Sequence, residues 1–451
     1  MKLVKMSLVA AMVMGASAFA IDNVKVSGDA KVFYSTNDAD TTNPITGNFD
    51  NDLFSKGTSA ADTALRIGVT GDLLKGVSFG ATGYAISTLG LENNLVDATW
   101  SGAHAARTGT GAGYAEVDDQ AWMGELWIAA TAGKTTAKVG RMELDTPLAF
   151  SEKWSIVPNT FDAAVVINQD IPDTTLIGAW VGKGNGTNAV GGLGLGTDNE
   201  STLDSIGLAV DRGVVGANAN FTTFANGGAY AVAAINNSFK PLTAQAWYYN
   251  VANIADAYWL QADIDCQLVK GVKIGAQYAN MDTKGALNTF LVNNTMSTSD
   301  SSAYAFKLGY EGIENLKVSA AYSDADNDGV LHIANVATNN LGNAQSKLYT
   351  EAAWGGSNYG YVSAPGAESW NAKASYDMKD VAKFCASYTS VDNDIVGSTH
   401  NLDEIALSVS KSFGPLDAKL AYISTDADDQ NNADGTAAQY NTVNAYLTLN
   451  F

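Results

Sequence analysis

Large apolar side chains recur at every second position along much of this chain, and that period decides which elements it can form. Val272, Ile274, Ala276 and Tyr278 alternate with Lys273, Gly275, Gln277 and Ala279. Tyr304, Phe306, Leu308 and Tyr310 stand against Ala303, Ala305, Lys307 and Gly309, and Leu316, Val318, Ala320 and Tyr322 stand against Lys317, Ser319, Ala321 and Ser323. Leu416, Ala418, Leu420 and Tyr422 repeat the pattern against Asp417, Lys419, Ala421 and Ile423. Successive side chains of a strand point to opposite faces, so each segment reads as a β-strand with one apolar face and one small or polar face. The reading is all-β.

The connections separate a barrel from a soluble sandwich. Brief turns are expected at Gly71 to Gly76, Ala132 to Lys134, Asp170 to Asp173, Asp211 to Gly213, Asn236 to Pro241, Val269 to Gly271, Glu311 to Asn315, Met378 to Asp380 and Phe413 to Pro415. Longer polar loops fall at Asn37 to Ala61, Leu89 to Glu116, Met281 to Ser301, Asp324 to Gln345 and Asp426 to Tyr440. One short rim and one long rim is the asymmetry of a transmembrane antiparallel β-barrel, with short turns in the periplasm and long loops outside. Nine turns imply about 20 strands. The turn at Asp211 to Gly213 is the weakest of them, and without it the count is about 18, which is the expectation adopted, with 20 as the alternative. Mean hydropathy is only −0.04, as expected where alternate residues alone face lipid.

The ends fit secretion into an outer membrane. Lys2 and Lys5, an apolar run from Leu8 to Met14 and the triplet Ala18-Phe19-Ala20 form a signal peptide over residues 1–20, leaving 21–451 as a single barrel domain. The last strand alternates Val443, Ala445, Leu447, Leu449 and Phe451 with polar residues and stops on the aromatic Phe451. Loss of Lys2 and Lys5 takes the net charge from −21 to −23, which argues against nucleic acid as a partner. The expected location is the bacterial outer membrane, among lipid and lipopolysaccharide.

Three stretches carry a family resemblance. The first runs from Val139-Gly140-Arg141-Met142-Glu143-Leu144-Asp145-Thr146-Pro147-Leu148 to Val157-Pro158-Asn159-Thr160-Phe161-Asp162-Ala163. The second is an aromatic strand end followed by acids, as in Tyr278 to Asp282, Tyr322 to Asp328 and Tyr388 to Asp394; the third is Leu348-Tyr349-Thr350-Glu351-Ala352-Ala353-Trp354. The chain resembles outer-membrane porins of the OprD-like type and the major outer-membrane proteins of epsilonproteobacteria. The resemblance implies an 18-stranded barrel, a homotrimer, and one loop folded into the lumen from about Leu144 to Phe161. Members with an arginine ladder guide anions; this chain has only Arg66, Arg107, Arg141 and Arg212, so no substrate preference carries over.

Charged side chains at a constriction set pore selectivity. Arg141, Glu143, Asp145, Glu152 and Lys153 are the candidates there. Alternation assigns Arg66, Glu125, Asp263, Asp265, Lys317, Lys373 and Glu404 to the lumen, since a charge facing lipid at mid-depth costs about 2–4 kcal/mol for Arg or Lys. Asp324, Asp326 and Asp328 before Gly329 match the first half of an EF-hand loop, but position twelve is Asn335, so calcium is the one metal the sequence raises and no cofactor is required.

The implied activity is passive diffusion of small hydrophilic solutes and ions, weakly cation-preferring from the acid excess. The alternatives are an adhesin or structural barrel, a barrel enzyme, and a soluble sandwich. Against an enzyme, His104, His332 and His400 fall in separate loops with no nucleophile elbow or HExxH, and the GxGxG of Gly182, Gly184 and Gly186 precedes no helix. Cys266 and Cys385 lie on opposite faces, so no disulfide is expected.

Overall fold

The computed structural model describes residues 21–39, 41–42, 49–50, 52–87, 89–91, 95–96, 120–154, 156–186, 221–223, 227–338, 344–353, 358–395, 401–427 and 439–451. The signal segment 1–20 lies outside them. Eighteen long strands follow one another: β1 (Asp22–Asn37), β2 (Ser59–Leu74), β3 (Val77–Ser87), β4 (Gln120–Ala132), β5 (Thr135–Met142) and β6 (Phe161–Asn168). They continue as β7 (Thr174–Gly184), β8 (Ala229–Asn236), β9 (Leu242–Val251), β10 (Ala255–Asp265), β11 (Val272–Thr283) and β12 (Ser301–Ile313). The circuit ends with β13 (Leu316–Ala325), β14 (Ala367–Met378), β15 (Ala382–Asn393), β16 (Leu402–Phe413), β17 (Leu416–Ala427) and β18 (Gln439–Asn450).

Each strand pairs antiparallel with its sequence neighbours, and β1 pairs with both β2 and β18, so the sheet closes on itself. Closure leaves no unpaired edge, the condition for strands to cross hydrocarbon. The pair Thr222–Thr223 only extends the β8 side of β7. Because β7 pairs directly with β8 over eight residues, from Ala229↔Val181 to Asn236↔Thr174, there is no room for two further strands. The count is therefore 18, and the expected turn at Asp211 to Gly213 lies outside the described residues.

The other eight expected turns occupy one rim. Gly76 and Gly133 sit at φ +80° and +61°, the left-handed backbone that two-residue hairpins need. The opposite rim carries the loops, numbered L1 to L9 in chain order, of which L5 is only residues 252–254. Helix α1 (Gly285–Asn293) lies in L6 and the single turn α2 (Tyr359–Ser363) in L7. Gly182 and Gly184 of the GxGxG belong to β7.

Faces follow the alternation. Tyr304, Phe306 and Leu308 are 41–59% exposed on the outside, while Ala303 and Ala305 between them are buried against the interior. The inner face is less polar than the sequence suggests. Trp247, Tyr249 and Trp259 point inward and pack with Leu148 of L3, Leu287 and Leu291 of α1, and Leu331, Ile333, Tyr359 and Val362 of L7. A core is thus built inside the long-loop half of the barrel, from wall aromatics covered by infolded loops. Cys266 and Cys385 are both free.

Placing arginine at Phe306 should cost about 2–4 kcal/mol. The same change at the inward Ser319 should cost under about 1 kcal/mol. Unfolding midpoints in lipid measure both, and equal losses would contradict the assigned faces.

Candidate functional site

Two loops enter the barrel. L3, residues 143–160, was expected inside; L7, residues 326–366, was expected outside, and its infolding is a correction. They meet over Glu152, which is 2% exposed. One carboxylate oxygen, Oε1, accepts from Thr338 Oγ1 at 2.6 Å, Asn335 Nδ2 at 3.1 Å and the Gln345 amide at 3.1 Å, and Oε2 accepts from Trp154 Nε1 at 3.1 Å. The backbones also join: Val336 N donates to Leu148 O at 2.9 Å, and the Asn335 amide bonds Phe150 at both N and O. Burial pushes the Glu152 carboxyl up, opposed by those donors. On the exposed side Lys347 of L7 pairs with Asp145 of L3 at 2.7 Å.

L3 is tied to the wall by a run of alternating charges. Arg66 grips Asp29 through Nε at 2.9 Å and through a short Nη2 contact, and its Nη1 lies 3.6 Å from Glu143. Lys153 reaches Glu143 at 2.5 Å, and Lys31 lies 3.9 Å from Asp29. Fixed charges of both signs lining the lumen set up a local field that acts on ions and dipoles.

Beyond L3, L7 spans a chord of the lumen. On one side Tyr349 donates its hydroxyl to Asp263 at 2.8 Å, lies under Lys307 (Nζ 3.9 Å from the ring centroid) and receives support from Gln277. On the other, Lys373 donates to Glu351 O at 2.9 Å. Glu404, fully buried, accepts from Ala353 N at 2.7 Å and Asn358 Nδ2 at 2.8 Å. Gly275 fits this crossing, because a Cβ there would stand 2.5 Å from the Tyr349 hydroxyl. Below the chord, toward the short turns, two cavities of about 920 and 610 Å³ open along the wall. The larger reaches Met378, Asp380 and Val381 at a turn; the smaller is lined by Lys307, Lys373, Lys383 and Lys419 with Asp263 and Asp265.

Of the expected constriction residues, Glu143 and Lys153 pair with each other, Asp145 and Glu152 are bound by L7, and Arg141 joins none of them. Arg141 shares the outer face with Val139 at the strand end, pairs with Asp162 at 2.7 Å and stacks on Phe221 with its guanidinium 3.4 Å from the ring centroid. Arg66, Asp263, Asp265, Lys373 and Glu404 stand on the inner face with the partners given above or below. Glu125 stands there too, 3.4 Å from Thr82 Oγ1, and Lys317 lies nearer the short turns, 3.3 Å from Glu311. Lys273 pairs closely with Asp265.

The calcium candidates are not gathered: Asp324 is on the outer face accepting from Tyr304 at 2.7 Å. Among the described residues no group of three or more His, Cys, Asp or Glu could hold a metal. His332 is buried in L7, while His104 and His400 lie outside the described residues. Sequence reading missed L7 as a wall-to-wall element. The available signal was its apolar content, Leu331, Ile333, Val336, Leu348, Tyr349, Tyr359, Tyr361 and Val362, in what should be a solvated loop.

Glu152→Ala removes one acceptor shared by four donors and should cost about 1–3 kcal/mol of loop stability. Faster proteolysis within 326–366 and a noisier channel current would report it; unchanged cleavage would show that Glu152 does not hold L3 to L7.

Known proteins share this architecture. Residues 270–447 match the sequence model of a family described as Gram-negative porin. OccK8 (OprE) of Pseudomonas aeruginosa superposes with a TM-score of 0.66 at 14% identity, covering 95% of this chain and 98% of that one. OccAB3 of Acinetobacter baumannii gives 0.66 at 14% identity over 95% and 99%. P. aeruginosa OpdK, crystallised with vanillate, gives 0.64 at 10% identity over 95% and 98%. No curated protein matches the chain. The fold is that of these OprD-like outer-membrane barrels, and residues 270–447 are similar in sequence to Gram-negative porins.

Proposed function

We propose that the chain is a passive diffusion channel for small hydrophilic solutes and ions. The observation that carries this reading is the closed barrel with cavities running from the L3–L7 crossing to the short-turn rim. Polar and charged side chains replace part of a permeant's hydration there, and the two loops exclude large solutes. No reaction step is needed for this function, and the fold points to a non-enzymatic channel.

The weak cation preference is best assigned to the outer mouth. Lumen lysines and acids are largely matched, as in Lys273 with Asp265, Lys307 with Asp263 and Lys317 with Glu311. Acids crowd instead at the long-loop ends of consecutive strands, where Glu368 lies between Asp324 and Asp392 and Asp403 faces Asp426, whereas Asp256, which faces Asp282, is matched by Lys284. A negative rim concentrates cations at the entrance and is screened within about 8 Å at physiological salt.

A homotrimer is supported by the outer face. Trp180, Tyr230, Tyr248, Tyr258, Tyr278, Tyr304, Tyr322, Trp370, Tyr388 and Tyr422 form an aromatic band from β7 to β17. On β3 to β6 the corresponding face carries Gly83, Ala85, Ala121, Met123, Val139 and Ala164. Small residues allow close approach between membrane proteins, so this sector suits barrel-to-barrel contact. Cross-linking from cysteine placed at Ala85 should trap oligomers, and monomer alone would defeat the assignment.

In planar bilayers the purified protein should give conductance steps. The reversal potential in a salt gradient should favour cations by about two-fold at low salt and approach zero selectivity near about 1 M. Absence of steps would overturn the channel; selectivity unchanged by salt would overturn the rim as its source.

A further inference from the structure

Three carboxylates lie buried around L7. Glu152 comes from L3, Glu351 from L7 itself and Glu404 from β16, at 2%, 8% and 0% exposure. Each accepts from an L7 amide: Glu152 from Gln345, Glu351 from Ser346 (a short contact) and from Ala352 at 2.9 Å, Glu404 from Ala353 at 2.7 Å. Tyr359 of α2 feels all three, and Lys373 of β14 is a cation that acts on Glu351. Buried carboxylates gathered about one tyrosine cannot all be ionised without large cost, because burial removes the water that would screen them.

Accordingly we infer that L7 is a pH-responsive strap: the segment from Gln345 to Ala353 stays docked across the lumen while Glu351 holds its proton, and loosens from the wall when Glu351 ionises. This rests on the channel reading. Docking narrows the passage by setting Tyr349 against Asp263 and Ala353 against Glu404, so release widens it. Lys373 from β14 acts on the Glu351 carboxyl, and Glu351 in turn acts on Tyr359 from α2, which also feels Glu152 from L3 and Glu404 from β16. Lys373 is held by the backbone carbonyl of Glu351, which leaves that carboxylate's charge incompletely balanced.

Burial pushes the Glu351 carboxyl up to about 8, against the pull of the Ser346 and Ala352 donors and of Lys373. The docked form therefore binds its proton more tightly than the released form, whose carboxyl titrates in the ordinary glutamate range. Stability of docking is complete below that range, falls as pH rises through the interval up to about 8, and is constant above it.

The test is single-channel conductance of the full-length protein in planar bilayers across pH about 5 to 9. Wild type should rise by about two-fold toward the alkaline end. Glu351→Gln, nearly isosteric and unable to ionise, should stay at the low-conductance level throughout, and Lys373→Met, which removes the cation favouring the ionised carboxyl, should move the rise to higher pH. A flat wild-type profile, or a rise that survives in Glu351→Gln, overturns the strap while leaving the channel intact. No conductance at any pH overturns the channel itself.

Discussion

Hydrocarbon offers no partner to a peptide N–H or C=O, and that constraint governs this structure. Each unpaired backbone group in the bilayer costs several kcal/mol, so strands can cross only if every edge is matched. Pairing of β1 with both β2 and β18 meets the condition. With the backbone satisfied, the side chains divide by parity: one face contacts lipid and the other an enclosed aqueous space. The alternation in sequence is the trace of that division.

Closure leaves an interior too wide for wall side chains to fill. Eighteen strands enclose a passage that would admit large solutes, and L3 and L7 reduce it. These loops carry the problem that infolded chain always carries, since their own amides must find acceptors. Glu152 and Glu404 answer it with carboxylates aimed at backbone and amide donors, and Trp247, Tyr249 and Trp259 supply an apolar floor for Leu148, Leu331 and Ile333. Constriction and stability are therefore one arrangement: the residues that narrow the lumen are those that keep the loops folded.

Charge is sorted as well. The acid excess is conspicuous at the outer rim, where solvent and counterions accept it, while lumen charges are mostly matched between nearby strands of the wall. Arg141 illustrates the limit of spacing arguments. It lies two residues from Glu143, yet Arg141 is still within β5 and turns outward to Asp162, whereas Glu143 has left the strand and meets Arg66 and Lys153.

The entry of L3 followed from the family resemblance; what the sequence by itself determined was local and periodic, namely the strand faces, eight of the short turns and a count near 18 with 20 left open. These depend on neighbours within a few residues and on the cost of exposing charge to lipid, both visible in one dimension. The tertiary structure alone decided that L7 crosses the lumen, that Glu152, Glu351 and Glu404 converge under it, and that Arg141 faces away. Those contacts join residues separated by as many as 193 positions, as Glu152 and Gln345 are. No period in the chain records such a meeting, because it is fixed only when the barrel closes and the loops compete for the space inside.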